Sequence, residues 1–114
     1  MTKTLDLHLR VSLRNNVAFG PGKASLLEHI RDTGSIAAAG RRMKMSYTRA
    51  WGLVTAMNGE FRYPLVESAK GGAGHGGAKL TPLGAQVLKR YRRMQACAAR
   101  AVAADLSAIR RNLA

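Results

Sequence analysis

Gly34-Ser35-Ile36-Ala37-Ala38-Ala39 and, about ten residues later, Met45-Ser46-Tyr47-Thr48-Arg49-Ala50-Trp51 decide how this chain is to be read. Each stretch sets a serine directly ahead of a helical pattern, where its hydroxyl can accept from one of the helix's unpaired N–H groups. Ser35 thus caps a short alanine-rich helix to Met43, Lys44 and Met45 make the turn, and Ser46 caps a second helix running to about Glu60. This is the spacing of a helix-turn-helix. On a helical wheel Tyr47, Ala50, Trp51, Val54, Met57 and Phe61 fall on one side of the second helix. Thr48, Arg49, Gly52, Thr55 and Ala56 fall on the other. The first set is expected to pack inward, with Trp51 as a core anchor, because large aromatics usually bury their area. Tyr47 opens the helix, so its ring can be buried while its hydroxyl reaches a phosphate. The second set is polar or small and suits a helix lying in a major groove.

The chain around this motif carries 19 Lys+Arg against 6 Asp+Glu, a formal charge of +13 in 114 residues. Such a surface favours a polyanion, and with a helix-turn-helix it points to double-stranded DNA. The length allows one domain with an appended helix. No apolar run approaches the roughly 20 residues needed to span a bilayer. The start, Met1-Thr2-Lys3-Thr4-Leu5-Asp6, lacks a continuous apolar h-region, so a cytoplasmic location without membrane contact is expected. The single cysteine, Cys97, lies in an Ala/Arg-rich helical stretch and is expected to be a packed thiol.

Upstream, Leu5, Leu7, Leu9, Val11 and Leu13 alternate with Asp6, His8, Arg10 and Ser12, the period of a strand over 5–13 with one buried face. Asn15-Asn16 can turn the chain so that Val17-Ala18-Phe19 pairs back before Gly20-Pro21-Gly22. From Lys23 to Thr33, Leu26, Leu27 and Ile30 share a helical face, and Gly34 stops that helix. Downstream, Leu65-Val66 enters Gly71-Gly72-Ala73-Gly74-His75-Gly76-Gly77, and Ala78-Lys79-Leu80 leaves it. Two short strands joined by such a loop after a recognition helix form a wing over 65–81, with Lys70 and Lys79 expected at its base. Bare glycine N–H groups there can approach phosphates closely, at a cost in backbone entropy.

Thr81-Pro82 caps a last helix that nothing breaks after Gly84, about thirty residues or roughly 45 Å long. Val87, Tyr91, Met94, Ala98, Val102, Leu106, Ile109 and Leu113 recur along it at steps of three or four. Half of that stripe lies beyond any three-helix core, which calls for a second copy of the chain across a two-fold axis. The alanines of 96–104 would let two such helices approach, and Lys89, Arg90, Arg92 and Arg93 are expected on the solvent side.

Taken together, Gly34 to Ala39, Met45 to Trp51, Leu65-Val66-Glu67 and Gly77-Ala78-Lys79-Leu80-Thr81-Pro82-Leu83-Gly84 resemble the N-terminal DNA-binding domain of the ModE family of molybdate-responsive regulators, over about residues 22–95. That domain is a winged helix related to the one in LysR-type regulators. The resemblance implies that Ser46, Tyr47 and Thr48 begin the recognition helix and that 70–79 forms the wing. Three positions depart from the pattern: Ala37 where serine is usual, Ser68 where arginine often follows Val-Glu, and His75 among the glycines. Ser68 removes one phosphate contact from the wing. Full-length members continue into domains that hold molybdate or tungstate, and these residues contain no visible site for either effector, nor for any cofactor.

Other chemistries find little support. Gly72-Ala73-Gly74-His75-Gly76-Gly77 satisfies G-x-G-x-x-G, but the strand, tight turn and immediate helix of a dinucleotide site are missing. Lys79 does not follow its glycine as a phosphate-binding P-loop requires. His8, His29 and His75 are scattered without metal-ligand spacing, and no nucleophile, base and orienting group form a set. An enzyme is not expected.

The sequence therefore predicts an α+β, mainly α protein. Residues 1–81 form a winged helix-turn-helix with an N-terminal strand or hairpin, and 82–114 form a dimerisation helix through Val87, Tyr91, Met94, Ala98, Val102, Leu106 and Ile109. Ser35, Lys44, Ser46, Tyr47, Thr48, Arg49, Gly52, Thr55, Lys70, His75 and Lys79 are the expected DNA contacts. The function expected is transcription regulation by a homodimer on a pseudo-palindromic operator. A winged-helix protein that coats DNA without reading its sequence is the alternative.

Overall fold

The three serine and threonine caps operate as the sequence requires. Ser35 accepts from the Ala38 N–H at 3.0 Å, Ser46 from Arg49 at 3.1 Å and Thr81 from Gly84 at 2.9 Å. They set the boundaries in a computed structural model that describes residues 7–70 and 76–114. The elements in order are β1 (Val11–Arg14), β2 (Val17–Phe19), α1 (Pro21–Thr33), α2 (Ile36–Arg42), α3 (Tyr47–Glu60), β3 (Val66–Lys70), β4 (Gly76–Leu80) and α4 (Pro82–Arg110). Gly34 ends α1 in the left-handed region at φ 71°, where its N–H bonds the Ile30 carbonyl at 2.8 Å.

The core lies where α1, α2, α3 and the start of α4 meet the wing. Leu26, Leu27 and Ile30 of α1, Met57 of α3 and Leu65 are fully buried. Ala39, Ala50 and Val54 close the contact between α2 and α3. That contact needs small residues: a Cβ on Gly40 would stand 3.0 Å from the Ala50 Cβ.

The wing, β3 paired antiparallel with β4, is fastened to this core through its backbone. The Ala78 N–H bonds the Gly34 carbonyl at 2.9 Å, so the cap of α1 doubles as an anchor for β4. Asn58 of α3 accepts from the Leu65 and Val66 N–H groups at 2.8 and 3.1 Å and donates to the Val66 carbonyl at 3.0 Å. Three bonds from one amide thus set the angle between α3 and the wing.

The N-terminal strand is shorter than its alternation predicts. β1 begins only at Val11, residues 7–10 join no strand among the described residues, and Leu5 falls outside them. The register runs Val11↔Phe19, Ser12↔Ala18, then Arg14↔Val17, so Leu13 is a bulged residue. One extra residue breaks the two-residue period, and Leu13 is left 49% exposed instead of joining a buried face. Asn16 makes the turn at φ 60°. Leu9 still packs against the core, and its carbonyl accepts the Tyr91 hydroxyl.

α4 changes character halfway. Gly84, Leu88, Tyr91 and Gln95 are its buried residues, and from Ala96 onward none is buried. Tyr91, expected on a dimer face, is a core residue of the protomer: its ring meets Phe19 edge-on at 5.1 Å. Burial pushes its phenol above the ordinary range, against a smaller opposing pull from Arg92. Val87 is also half-buried against the core. Arg92, expected in solvent, forms a forked ion pair with Glu28 of α1 at 2.6 and 3.1 Å and bonds Gln95 at 2.7 Å. Cys97, expected to be packed, is exposed.

Candidate nucleic-acid interface

α3 has one buried row, flanked by half-buried residues, and an exposed face opposite it. Ala50, Val54 and Met57 are buried, with Leu53 and Phe61 half-buried beside them. At 100° per residue the opposite face carries Thr48, Gly52 and Thr55, all exposed, with Arg49 to one side. A Cβ on Gly52 would meet no atom within 4 Å, so this face is open at its centre.

The first turn of α3 concentrates donors. Ser46 spends its hydroxyl on the cap, which leaves its exposed backbone beside Tyr47 and Thr48. Lys44 in the preceding turn adopts φ 59°, a conformation that glycine or asparagine takes more readily. Its N–H bonds the Arg41 carbonyl at 3.0 Å, and its side chain is exposed next to the helix start. Among the described residues Arg41, Lys44 and Arg49 make no ion pair, whereas Arg31 is matched by Asp32 at 2.9 Å. Ser35 sits further back, half-buried in its own cap.

The structure corrects the reading of the two aromatics. Trp51, expected in the core, is 49% exposed, and Tyr47 is 57% exposed. Their rings stack on each other with centroids 6.4 Å apart and planes 18° from parallel. The wheel lumped together positions that the fold separates. Trp51 stands about 100° round the helix from Ala50, off the buried row of Ala50, Val54 and Met57.

In the wing, Lys79 pairs with Glu67 across the hairpin and lies 3.9 Å from its carboxylate, near the foot. Lys70 pairs with Gly76 at the other end of the strands, so it marks the tip and not the base where it was expected. His75 and the glycines of 71–74 lie outside the described residues. Asn58 was missed because an asparagine in mid-helix carries no signal until the segment it holds is known. Gly84 was read only as part of a helix, although a Cβ there would stand 2.9 Å from the Leu65 carbonyl carbon.

Among the described residues no group of three or more His, Cys, Asp or Glu side chains converges as a metal site, and no helix is long and apolar enough to cross a membrane.

No family model matches the chain. The molybdenum-pterin-binding protein MopB of Rhodobacter capsulatus is 41% identical over 83 residues, which are 73% of this chain and 31% of that protein. The DNA-binding transcriptional dual regulator ModE of Escherichia coli K12 is 36% identical over 86 residues, 75% of this chain and 33% of its own length. The molybdenum transport protein ModE of Azotobacter vinelandii is 36% identical over 97 residues, 83% of this chain and 36% of its own. The chain therefore spans about a third of the length of the curated relatives it matches. Among solved structures, a chain of the CbnR_DBD-DNA complex superposes with a TM-score of 0.61 at 23% identity, covering 77% of this chain and 95% of that one. The superposition establishes the winged-helix fold. The chain's homologues are thus the ModE and MopB proteins, whose N-terminal part matches about 75% of it.

Proposed function

We propose that the chain is a sequence-specific, DNA-binding transcriptional regulator and has no enzymatic role. The observation that carries this reading is the open face of α3, Thr48, Gly52 and Thr55 flanked by Arg49 and Lys44, cations with no ion pair among the described residues, set beside a wing. Ser46, Tyr47, Thr48, Arg49, Gly52 and Thr55 enter a major groove, Lys44 and the Ser35 turn face the adjoining phosphates, and Lys70, His75 and Lys79 serve the wing. Residues 1–81 form the reading part and 82–114 the arm that joins two copies. The uncovered apolar stripe of α4, Met94, Ala98, Val102, Leu106 and Ile109, supports a homodimer on a pseudo-palindromic operator, with half-sites about one helical turn, roughly 34 Å, apart. Such a protein works in the cytoplasm.

Selection of bound duplexes from random DNA, with affinities measured across a salt series, tests this reading. Affinity should fall steeply with salt as counterions are released. Arg49→Ala should flatten discrimination among sites, whereas Lys70→Ala should weaken all of them about equally and lower the salt slope by about one. Equal affinity for every duplex would instead favour a protein that coats DNA. Binding that ignored both salt and sequence would refute the reading.

A further inference from the structure

Solitary exposed hydrophobics are ordinary, but contiguous ones mark a surface that meets something. Tyr47 and Trp51 are contiguous: one turn apart on α3, stacked, and both about half exposed. Asn58 lies two turns beyond Trp51 on the same side of the helix and bonds the wing backbone, so the aromatic ridge flanks the groove-facing residues on their wing side. The ridge borders a cleft of about 380 Å³ lined by Trp51, Thr55, Asn58, Pro64, Glu67 and Ser68. No cation among the described residues lines this cleft to hold a phosphate, and the Glu67 carboxylate repels one, while Ile36, Val54 and Val66 add apolar wall. A base edge carrying an apolar group is the better complement, and in the major groove only thymine offers one, its 5-methyl.

We propose that Tyr47 and Trp51 read thymine 5-methyl groups at the wing-side edge of each half-site. This rests on the DNA-binding reading above and adds a specificity determinant to it. The polar residues of α3 then fix position and hydrogen-bond base edges, while the ridge selects thymine by contact. Trp51 is the sole tryptophan of the chain, so its emission reports the contact directly.

The test uses the full chain and its selected duplex, with each thymine replaced in turn by 2′-deoxyuridine, which pairs identically but lacks the methyl. One or two positions per half-site should each bind about fourfold more weakly, the worth of one buried methyl group. Trp51 emission should change on binding the thymine duplex and change less on the demethylated one. Trp51→Ala, and separately Tyr47→Ala in case the first variant folds poorly, should each abolish the deoxyuridine effect at one or more of these positions. If no thymine responds while binding stays salt-dependent and sequence-selective, the methyl reading is wrong and the DNA-binding reading stands. If the deoxyuridine effect survives both alanine variants, another residue makes the contact. Failure of the parent chain to bind any duplex would remove both readings.

Discussion

Gly84 makes opposite predictions depending on whether the packing at the start of α4 is as described. Glycine within a helix is ordinarily a liability of up to about 1 kcal/mol relative to alanine, so propensity alone says Gly84→Ala stabilises. The added Cβ, however, would stand 2.9 Å from the Leu65 carbonyl carbon and 3.2 Å from its Cα, and closer still to the oxygen. Leu65 cannot retreat cheaply, since its N–H is held by Asn58 at 2.8 Å and its carbonyl accepts from the Thr81 N–H at 2.9 Å. Overpacking costs about 1–3 kcal/mol, and a backbone obstacle belongs at the upper end. The net is a loss of about 2 kcal/mol, or roughly 10 °C in Tm for a domain of this size. Gly52→Ala is the control: its new methyl meets no atom within 4 Å, so only the propensity gain remains, about 1 kcal/mol of stabilisation. Urea and thermal unfolding followed by circular dichroism, at matched protein concentration, measure both. A Gly84→Ala protein as stable as its parent would refute the described contact between α4 and Leu65.

Asn58→Leu removes three hydrogen bonds and strands two backbone N–H groups, and should cost about 3 kcal/mol and speed hydrogen exchange at the Val66 amide in the wing. Tyr91→Phe should cost about 1 kcal/mol at neutral pH, by loss of the bond to Leu9, and should also change the alkaline limb of the stability profile. Burial raises the folded phenol's pKa, so stability is whole below the unfolded value of about 10 and is lost as pH rises through the folded one. The gap between parent and Tyr91→Phe should therefore narrow above about pH 10 in a series of melting curves, and a constant gap would contradict it. Val102→Asp with Leu106→Asp alters half-exposed positions outside the buried core, and sedimentation should report monomers in place of dimers; a surviving dimer would place the interface elsewhere.

Local signals in the sequence proved dependable where the physics is local. Ser35, Ser46, Thr81 and Gly34 act within one turn of their own positions, and each does what its residue type predicts. The failures occur where a distant contact decides. Trp51 depends on what α2 and the wing leave uncovered beside the buried row of Ala50, Val54 and Met57. Leu13 depends on a bulge that alternation cannot reveal. Arg92 was read as a solvated charge because its partner Glu28 stands on another helix, 64 residues away. In the candidate site the polar face of α3 was legible from its period, while the aromatic ridge and the Asn58 clamp required the wing to be in place.

The same distant contacts decide what α4 can do for a pair of recognition helices. Its first turn is tied to residues 64–65 by the Thr81 hydroxyl donating to the Pro64 carbonyl at 2.7 Å, by the Thr81 N–H on Leu65 and by Gly84 lying against Leu65. Leu65 and Val66 are in turn held by Asn58, which belongs to α3 itself. Further along, Arg92 clamps α4 to Glu28 of α1, and Tyr91 fastens it to Leu9 and Phe19. No linker intervenes between the helix proposed to read DNA and the arm proposed to pair. Joining two arms would then fix the separation and tilt of the two α3 helices at once. On that proposal operator spacing would be a property of the buried half of α4, and altering Gly84 or Arg92 should blur half-site spacing even though neither residue would touch DNA or the second copy.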